Sequence, residues 1–225
     1  MCAIVVDVVE SRRMKDFADQ RDRLVETLSQ RHRQRGWIQF DYAVTAWDEF
    51  QGLIERPDQL PWVLWDIWLQ TYPIKLRIGL GGGNVERHGG GARPLNEAVT
   101  GEAFFLAREA LDRATGRNRS SALSQVVLRW NHALIESAGN GILRLVDALV
   151  DRLTETQWDS IAGYEQFRKQ ADVAAALAKS ESTISRSLAS AQYWRIRASL
   201  QDLERVLVGL LQDSGHDGDR TGTSC

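Results

Sequence analysis

Residues 42–52 read Y-A-V-T-A-W-D-E-F-Q-G, and this stretch predicts a β-hairpin. The alternation over residues 42–46 is typical of a pleated strand with at least one buried face. Apolar residues resume at Phe50, so Trp47-Asp48-Glu49 is predicted to form the turn. Acidic residues are poor strand formers, and an adjacent pair between two apolar runs indicates a hairpin tip or a site.

A further acidic residue, Asp7, interrupts the first predicted strand, residues 3–9, A-I-V-V-D-V-V. A lone ionised carboxylate inside a buried strand costs several kcal/mol or more unless it is paired or metal-bound. Two interpretations of Asp7 and Asp48 stay open. They form either a structural pair hydrogen-bonded to backbone amides, or a metal or nucleotide site.

The composition limits the class of protein. A chain of 225 residues with 43% hydrophobic content can bury a sizeable core. The formal net charge of −2 argues against a global affinity for nucleic acid or membrane, so any such binding must be local. The two cysteines, Cys2 and Cys225, make no disulfide framework, and the first strand is too short and too acidic for a membrane span or signal peptide. We expect a cytoplasmic protein that does not bind membranes.

The N-terminal half predicts an α+β sandwich in the order β-α-β-β-α-β-α-β. Gly36 is expected to end the first helix, and the tryptophans of the second helix are expected to lie in the core. Glycines at 81–83 and 89–91 predict a mobile loop; a phosphate cradle is the less favoured alternative, because no phosphate-binding motif is present. The predicted elements cover residues 3–9, 14–35, 37–54, 59–70, 74–80, 101–111, 124–130 and 131–140, with a polar break at 116–121.

The C-terminal part predicts helices alone. An apolar face over Ile142–Leu153 suggests a connector or a dimer seam, and Thr154 with Gln157 forms a capping-box pattern. We divide the chain into an α+β domain (1–135), a helical domain (141–211) and a disordered tail (213–225).

Residues 170–188, Q-A-D-V-A-A-A-L-A-K-S-E-S-T-I-S-R-S-L, have the layout of a helix-turn-helix. Ser180 is expected to cap the second helix, whose polar face is unsuited to a core and suits DNA. Basic residues outnumber acidic ones from 168 to 197, as DNA binding requires. The alternative is a helical hairpin used only for packing. The candidate DNA-binding residues are Lys179, Ser180, Ser182, Thr183, Ser185, Arg186 and Arg195.

Several blocks, taken together in this order, resemble the SatD family over roughly residues 3–200. The blocks are V-D-V-V-E-S-R at 6–12, W-D-E-F-Q-G at 47–52, R-I-G-L-G at 77–81, G-E-A-F-F-L-A-R-E-A-L at 101–111, and the predicted helix-turn-helix. The first domain is in turn similar to the ferredoxin-like catalytic domain of nucleotidyl and diguanylate cyclases. This resemblance implies that Asp7 and Asp48, with Glu49 beside them, would hold Mg²⁺ on a nucleotide. It also implies phosphate contacts from Val8, Ser11 and Arg12.

Two departures from the cyclase pattern weaken an enzymatic role. Trp47 stands where cyclases carry a glycine at the hairpin, and Phe105 and Glu109 stand near the expected asparagine and arginine, with Arg108 one residue away. We therefore favour a DNA-binding, homodimeric transcriptional regulator whose cyclase-like domain, with its chemistry weakened or lost, senses a nucleotide or metal. The alternative is a Mg²⁺-dependent enzyme of the nucleotidyl cyclase type, acting on a nucleoside triphosphate.

Overall fold

A computed structural model describes residues 1–88, 94–115 and 124–216. The strands in these ranges are β1 (Cys2–Val8), β2 (Ala43–Ala46), β3 (Glu49–Ile54), β4 (Leu76–Gly82), β5 (Glu86–Arg87), β6 (Val99–Thr100) and β7 (Val126–Trp130). The α-helices are α1 (Phe17–Gln34), α2 (Leu60–Thr71), α3 (Leu95–Ala98), α4 (Glu102–Thr115), α5 (Ala133–Val150), α6 (Glu155–Phe167), α7 (Gln170–Ala176), α8 (Glu181–Ser190) and α9 (Tyr193–His216).

A five-stranded sheet organises the N-terminal part, in the order β2-β3-β1-β4-β7. The central strand β1 runs antiparallel to both β3 and β4, whereas β7 runs parallel to β4. The sheet is therefore mixed, and the predicted α+β class and order of the main elements are confirmed. The short strands β5 and β6 form a separate two-stranded sheet that the sequence did not predict.

The two faces of β1 enter different clusters of buried side chains. Ile4 and Val6 join the main core with α1, α2, α5 and the C-terminal helices. Ala3 and Val5 pack instead against α4. Because side chains alternate along a strand, Asp7 falls on the same face as Ala3 and Val5. The fold therefore places this acidic side chain on the α4 side of the sheet.

Helix α4 lies directly on β4 because two strand glycines leave room for its backbone. A Cβ added at Gly79 or Gly81 would lie 2.1 Å from the carbonyl oxygen of Ala107 or Ala103, respectively. The prediction of a loop at 81–83 is therefore wrong for Gly81 and Gly82, which end β4. The second glycine run, 89–91, and the predicted polar break at 116–121 lie outside the described residues.

The tryptophan-rich helix α2 is covered on several sides, as its largely apolar sequence requires. Trp65 and Trp68 are buried, which confirms their predicted place in the core, whereas Trp62 is only partly buried. Trp65 stacks on Trp158 of α6 with ring centroids 6.0 Å apart. The C-terminal helices thus share one hydrophobic core with the sheet.

Helix α5 runs unbroken through residues 133–150, where the sequence predicted a short helix at 131–140, a change of character and a domain boundary. Within this helix Gly139 allows close packing, since a Cβ there would lie 2.6 Å from the side chain of Leu128 on β7. Leu143, Val146 and Val150 are buried within the chain, so most of the suggested dimer seam serves intramolecular packing.

Three helix ends can be compared with their sequence signals. Gly36 follows α1 with φ of 67°, and Thr154 forms the predicted capping box with Gln157. Helix α9 continues to His216, so residues 213–216 are helical and the predicted disordered tail begins too early; residues 217–225 lie outside the described part.

Within the described ranges, no helix has the length and apolar character needed to cross a bilayer.

Candidate functional site

The acidic residues singled out in the sequence meet at one end of the sheet. Glu49 begins β3 directly opposite Asp7 on β1. The Val8 amide donates to the carbonyl oxygen of Asp48 at 2.9 Å, which joins the hairpin turn to the end of β1. The fold therefore brings Asp7, Asp48 and Glu49 together from two distant segments, as the sequence suggested.

Asp7 is half-buried and paired with an arginine from the neighbouring strand. Nη1 of Arg77 donates to Oδ2 of Asp7 at 3.1 Å. Burial raises the pKa of Asp7, and the nearby charge of Asp48 raises it further, while Arg77 opposes both effects. Sequence reasoning missed Arg77, because only the pairing register of β1 and β4 sets it beside Asp7.

Asp48 is held by the segment that follows β1. The buried hydroxyl of Ser11 donates to Oδ2 of Asp48 at 2.8 Å. The three residues predicted to contact phosphate, Val8, Ser11 and Arg12, differ in their surroundings. The Val8 amide is already bound to Asp48, Ser11 is engaged with the carboxylate, and Arg12 is exposed beside them. Of these three residues, Arg12 has the side chain most accessible to an incoming phosphate.

The carboxylate of Glu49 is paired with Arg108 of helix α4. Both terminal nitrogens of Arg108 donate to its carboxylate, and the Thr45 hydroxyl donates as well. Burial acts to raise the pKa of Glu49, but these hydrogen bonds more than offset it, so its pKa is lowered. Arg108 therefore places a cation at the acidic cluster, although the sequence placed it one residue away from the cyclase arginine.

The predicted obstruction at the hairpin is present. Trp47 is 55% exposed, and its ring lies 5.8 Å from that of Phe17 on α1. Arg21 donates to the Trp47 carbonyl oxygen at 2.7 Å. A bulky side chain therefore covers the turn at which a glycine would leave the backbone accessible.

These contacts limit what a cation could find here. Among the residues at 1–88, 94–115 and 124–216, no group of three or more His, Cys, Asp or Glu side chains is arranged to hold a metal ion. Glu49 is committed to Arg108, and Asp7 is shared with Arg77. Two of the three carboxylates are thus already paired with arginines, and the Mg²⁺ site at Asp7, Asp48 and Glu49 stays a prediction.

The candidate DNA-binding residues lie on and around α8. Its inner side chains Ile184 and Leu188 are fully buried, and on α7 Val173 and Ala174 are also buried. Each of these two helices therefore has an apolar, buried inner face. Between the two helices, Ala178 adopts φ of 52°, the left-handed conformation that a tight turn requires.

The Ser180 hydroxyl is used mainly to cap α8. It accepts from the Thr183 amide at 3.2 Å, which confirms the predicted N-cap, and it lies 2.8 Å from the Thr183 hydroxyl. Ser182, Ser185 and Arg186 remain exposed on the outer face of α8, with Arg195 exposed on α9 and Lys179 half-buried in the turn. Of the seven candidates, Ser180 and Thr183 form this cap and the other five do not take part in it. The Ser182 hydroxyl lies 3.0 Å from that of Ser180.

The basic excess around α8 is smaller than the sequence count suggested. Arg168 and Arg197 both contact the carboxylate of Glu165, at 2.7 and 3.4 Å. Their charges belong to a cleft beside α2 and not to the outer face of α8. Of the six basic residues between 168 and 197, all within the described part, Lys169, Lys179, Arg186 and Arg195 lie outside this contact.

The geometry defines a mixed α+β protein with an acidic, arginine-paired site at one end of its sheet and a group of short helices at its C-terminus. The chain belongs to the SatD family, whose family model matches residues 1–203. No match was found among curated proteins or among solved structures.

Proposed function

We propose that the protein is a DNA-binding transcriptional regulator that contacts duplex DNA through the exposed face of α8. One observation carries the proposal: α8 is buried on one side only, while its other side presents Ser182, Ser185 and Arg186 to solvent. A helix used purely for packing has little need for a row of short hydroxyl side chains ending in an arginine. Hydroxyl and guanidinium groups are the donors and acceptors that read base edges and phosphates.

The connection between α7 and α8 supports a helix-turn-helix. α7 has seven residues, α8 has ten, and the turn between them passes through Ala178 and the Ser180 cap. In that motif the second helix enters the major groove with its N-terminal residues nearest the bases. Ser182, Ser185 and Arg186 lie in the first six residues of α8 and would be the residues that reach the bases.

The remaining cations would supply phosphate contacts at either end of α8. Lys179 precedes the helix and Arg195 follows it. Phosphate contacts position a protein on DNA without reading its sequence, and each one makes the affinity depend on salt. With so few cations, we expect modest affinity for arbitrary DNA and a shallow salt dependence.

Selection from a random duplex pool tests the proposal and needs no known operator sequence. Full-length protein is used to enrich bound duplexes over several rounds, in parallel with the Ser185→Ala/Arg186→Ala variant. Arg205→Ala is the matched control, because Arg205 lies exposed on α9 in an ion pair with Asp202. We expect a defined sequence motif with wild type and control and none with the double variant. Enrichment that is equal in all three would contradict the assignment to α8.

A Mg²⁺-dependent nucleotidyl enzyme is the second candidate, and the sheet supports it. The order β2-β3-β1-β4, with β1 antiparallel to both neighbours, is that of a ferredoxin-like sandwich, the fold of nucleotidyl cyclases. By the resemblance to those enzymes, Asp7 on β1 and Asp48 in the turn before β3 would hold the Mg²⁺. If the protein turns over ATP or GTP with Mg²⁺, Asp48→Ala should abolish turnover and leave DNA selection unchanged. An absence of product with wild type under the same conditions would remove this candidate.

In the regulator, the α+β part would sense a nucleotide or metal, or serve dimerisation. The paired arginines at the acidic cluster favour sensing over catalysis, because Arg77 and Arg108 already neutralise two of the three carboxylates. Calorimetry with Mg²⁺ and ATP or GTP, comparing wild type with Asp7→Ala/Asp48→Ala, tests that role. Binding that is unchanged in the double variant would show that the acidic cluster is not the sensor.

A further inference from the structure

A cleft lies where α1 and α2 meet α6 and α9, and none of its lining residues belongs to the acidic cluster or to the exposed face of α8. Its volume is about 920 Å³, within the range of about 300–1,000 Å³ that is usual for small-molecule sites. Four arginines and three tryptophans are among the residues that line it. This combination calls for a chemical explanation.

The first wall is organised by Asp66 of α2, whose side chain is 5% exposed. Arg31 donates to both of its carboxylate oxygens, at 3.0 and 2.8 Å, and Arg35 donates at 3.0 Å. One buried carboxylate therefore holds two guanidinium groups from α1 and its C-terminal end at the edge of the cleft. The two arginine side chains keep exposed fractions of 36% and 42%, so both remain accessible to a ligand.

The second wall repeats this arrangement around Glu165 of α6, whose side chain is 11% exposed. Arg168 and Arg197 contact its carboxylate, and it also accepts from Nε1 of Trp65 at 2.8 Å and the Tyr193 hydroxyl at 3.0 Å. A carboxylate fixed by four groups orients its arginines firmly. Each side of the cleft thus presents a pair of positioned guanidinium groups.

The charges of the lining do not cancel. Four arginines face two carboxylates, Asp66 and Glu165, which leaves two positive charges in a partly enclosed space. Each buried carboxylate can accept from its arginines, but planar guanidinium groups carry five donors each and are well suited to bind phosphate oxygens as well. The electrostatic preference of the cleft is for an anion.

The aromatic lining adds a preference for a flat ring. The Arg35 guanidinium lies 4.7 Å from the ring centre of Trp37, and the Arg197 guanidinium lies 4.4 Å from that of Trp62. These contacts hold each guanidinium against an extended π surface, as cation–π pairs do. Nucleobases stack on both indole rings and guanidinium planes. An anion that also carries a planar ring fits this lining better than a bare anion.

We propose that the cleft between α1–α2 and α6–α9 binds a nucleotide, with its phosphate on the arginine pairs and its base against the tryptophan–arginine surfaces. A bound nucleotide would contact both the helices that cover the sheet and the helices that flank α7 and α8. Its binding would therefore stabilise the packing of these two parts against each other. Nucleotide binding at the cleft does not depend on the proposed function. Only an effect of the bound nucleotide on DNA affinity would rest on it.

Titration of the full chain with ATP, GTP, AMP and GMP, followed by calorimetry and tryptophan fluorescence, tests the proposal. Adenosine and inorganic pyrophosphate separate base recognition from phosphate recognition. We expect at least one nucleotide to bind in the micromolar to low millimolar range, to change the fluorescence of the lining tryptophans, and to bind more tightly than adenosine or pyrophosphate. Arg35→Gln and Arg197→Gln should each weaken binding by about tenfold or more, since each removes a charge-assisted contact.

Controls separate this site from the acidic cluster and from general loss of structure. Arg33→Gln on α1 and Arg205→Gln on α9 remove exposed arginines outside the cleft lining, and both should keep wild-type affinity. Asp7→Asn/Asp48→Asn alters the other candidate site and shows whether binding depends on it. If Arg35→Gln is poorly folded, Arg35→Lys takes its place in the test. It keeps the charge but loses the planar group, so it should also weaken binding. No nucleotide binding at millimolar concentration, pyrophosphate binding as tightly as the nucleotides, or loss of binding only in the Asp7/Asp48 variant would each overturn the proposal.

Discussion

Asp66→Asn is the substitution that most sharply probes how the helices are held together. Asp66 accepts hydrogen bonds from Arg31, Arg35 and the buried His32. The amide keeps the size of the side chain but removes its charge and one acceptor oxygen. The arginines lose their counter-charge, and the amide NH₂ group must face one of their donors.

The expected loss of stability follows from burial. Removing one partner of a buried ion pair costs about 3–5 kcal/mol. Arg31 and Arg35 are more than a third exposed and can regain water contacts, so the lower end applies. We expect the free energy of unfolding to fall by about 3 kcal/mol, which for a chain of this size lowers Tm by about 6–12 °C.

Urea unfolding followed by far-ultraviolet circular dichroism measures this change directly. Asp41→Asn is the matched control, because Asp41 is exposed and pairs with the exposed Arg33. The control should change stability by less than about 0.5 kcal/mol. A loss below about 1 kcal/mol for Asp66→Asn would refute the reasoning, since it would show that the buried carboxylate does not hold this network.

Two further predictions concern the sheet and the same buried network. Gly79→Ala should destabilise the fold by more than about 3 kcal/mol, because its Cβ would meet the α4 backbone. Gly141→Ala has open space around its Cβ and should be neutral or stabilising by up to about 1 kcal/mol. Equal urea midpoints for the two variants would contradict this contrast. Burial lowers the pKa of His32, although Asp66 partly opposes this effect. Below a pH of about 6.5 the unfolded chain therefore binds more protons than the folded chain. The free energy of unfolding should decrease as the pH is lowered from about 7.5 to about 5.5. Unfolding at both pH values checks this, and an identical pH dependence in His32→Gln would exclude His32 as the cause.

The orientation of the His32 ring follows from its two partners. Asp66 is ionised, since hydrogen bonds from His32 and Arg31 outweigh its burial and lower its pKa. Nε2 of the neutral imidazole therefore donates to Asp66, and Nδ1 accepts from the Tyr42 hydroxyl at 2.7 Å. Protonation would remove that acceptor while adding a charge to a fully buried ring, which is why acid should weaken the fold.

Local sequence signals predicted the parts of the fold that depend on local chemistry. The hairpin around Asp48, the end of α1 at Gly36 and the capping box at Thr154 lie where alternation, glycine and a hydroxyl indicated. The details of the hairpin differ, because Glu49 begins β3 and the residues of β2 are mostly exposed. Gly81 was misinterpreted because a glycine that makes room for a neighbour resembles one that belongs to a loop. Only the packing of α4 on β4 distinguishes the two cases.

The candidate sites were predicted only as far as single segments allow. Asp7 and Asp48 stood out because each interrupts an apolar pattern, and the fold brings them together. Arg77 did not stand out, and Arg108 did so only as a near neighbour of the expected cyclase arginine, since the ion pair of an arginine on a strand or helix is unknown until its partner is known. The arginine–tryptophan cleft was missed for the same reason, because its lining comes from helices that lie far apart in the chain.

The central claim is that α8 reads DNA, and fluorescence anisotropy with a duplex carrying the selected motif tests it most directly. Wild type and Arg205→Ala should bind this duplex about 10³-fold or more tightly than a scrambled one. Arg186→Ala should lose about 1–3 kcal/mol of affinity for the selected duplex, roughly 5- to 150-fold, if the arginine contacts a base. Equal affinity of wild type and Arg186→Ala, or equal binding of selected and scrambled duplexes by wild type, would contradict the claim.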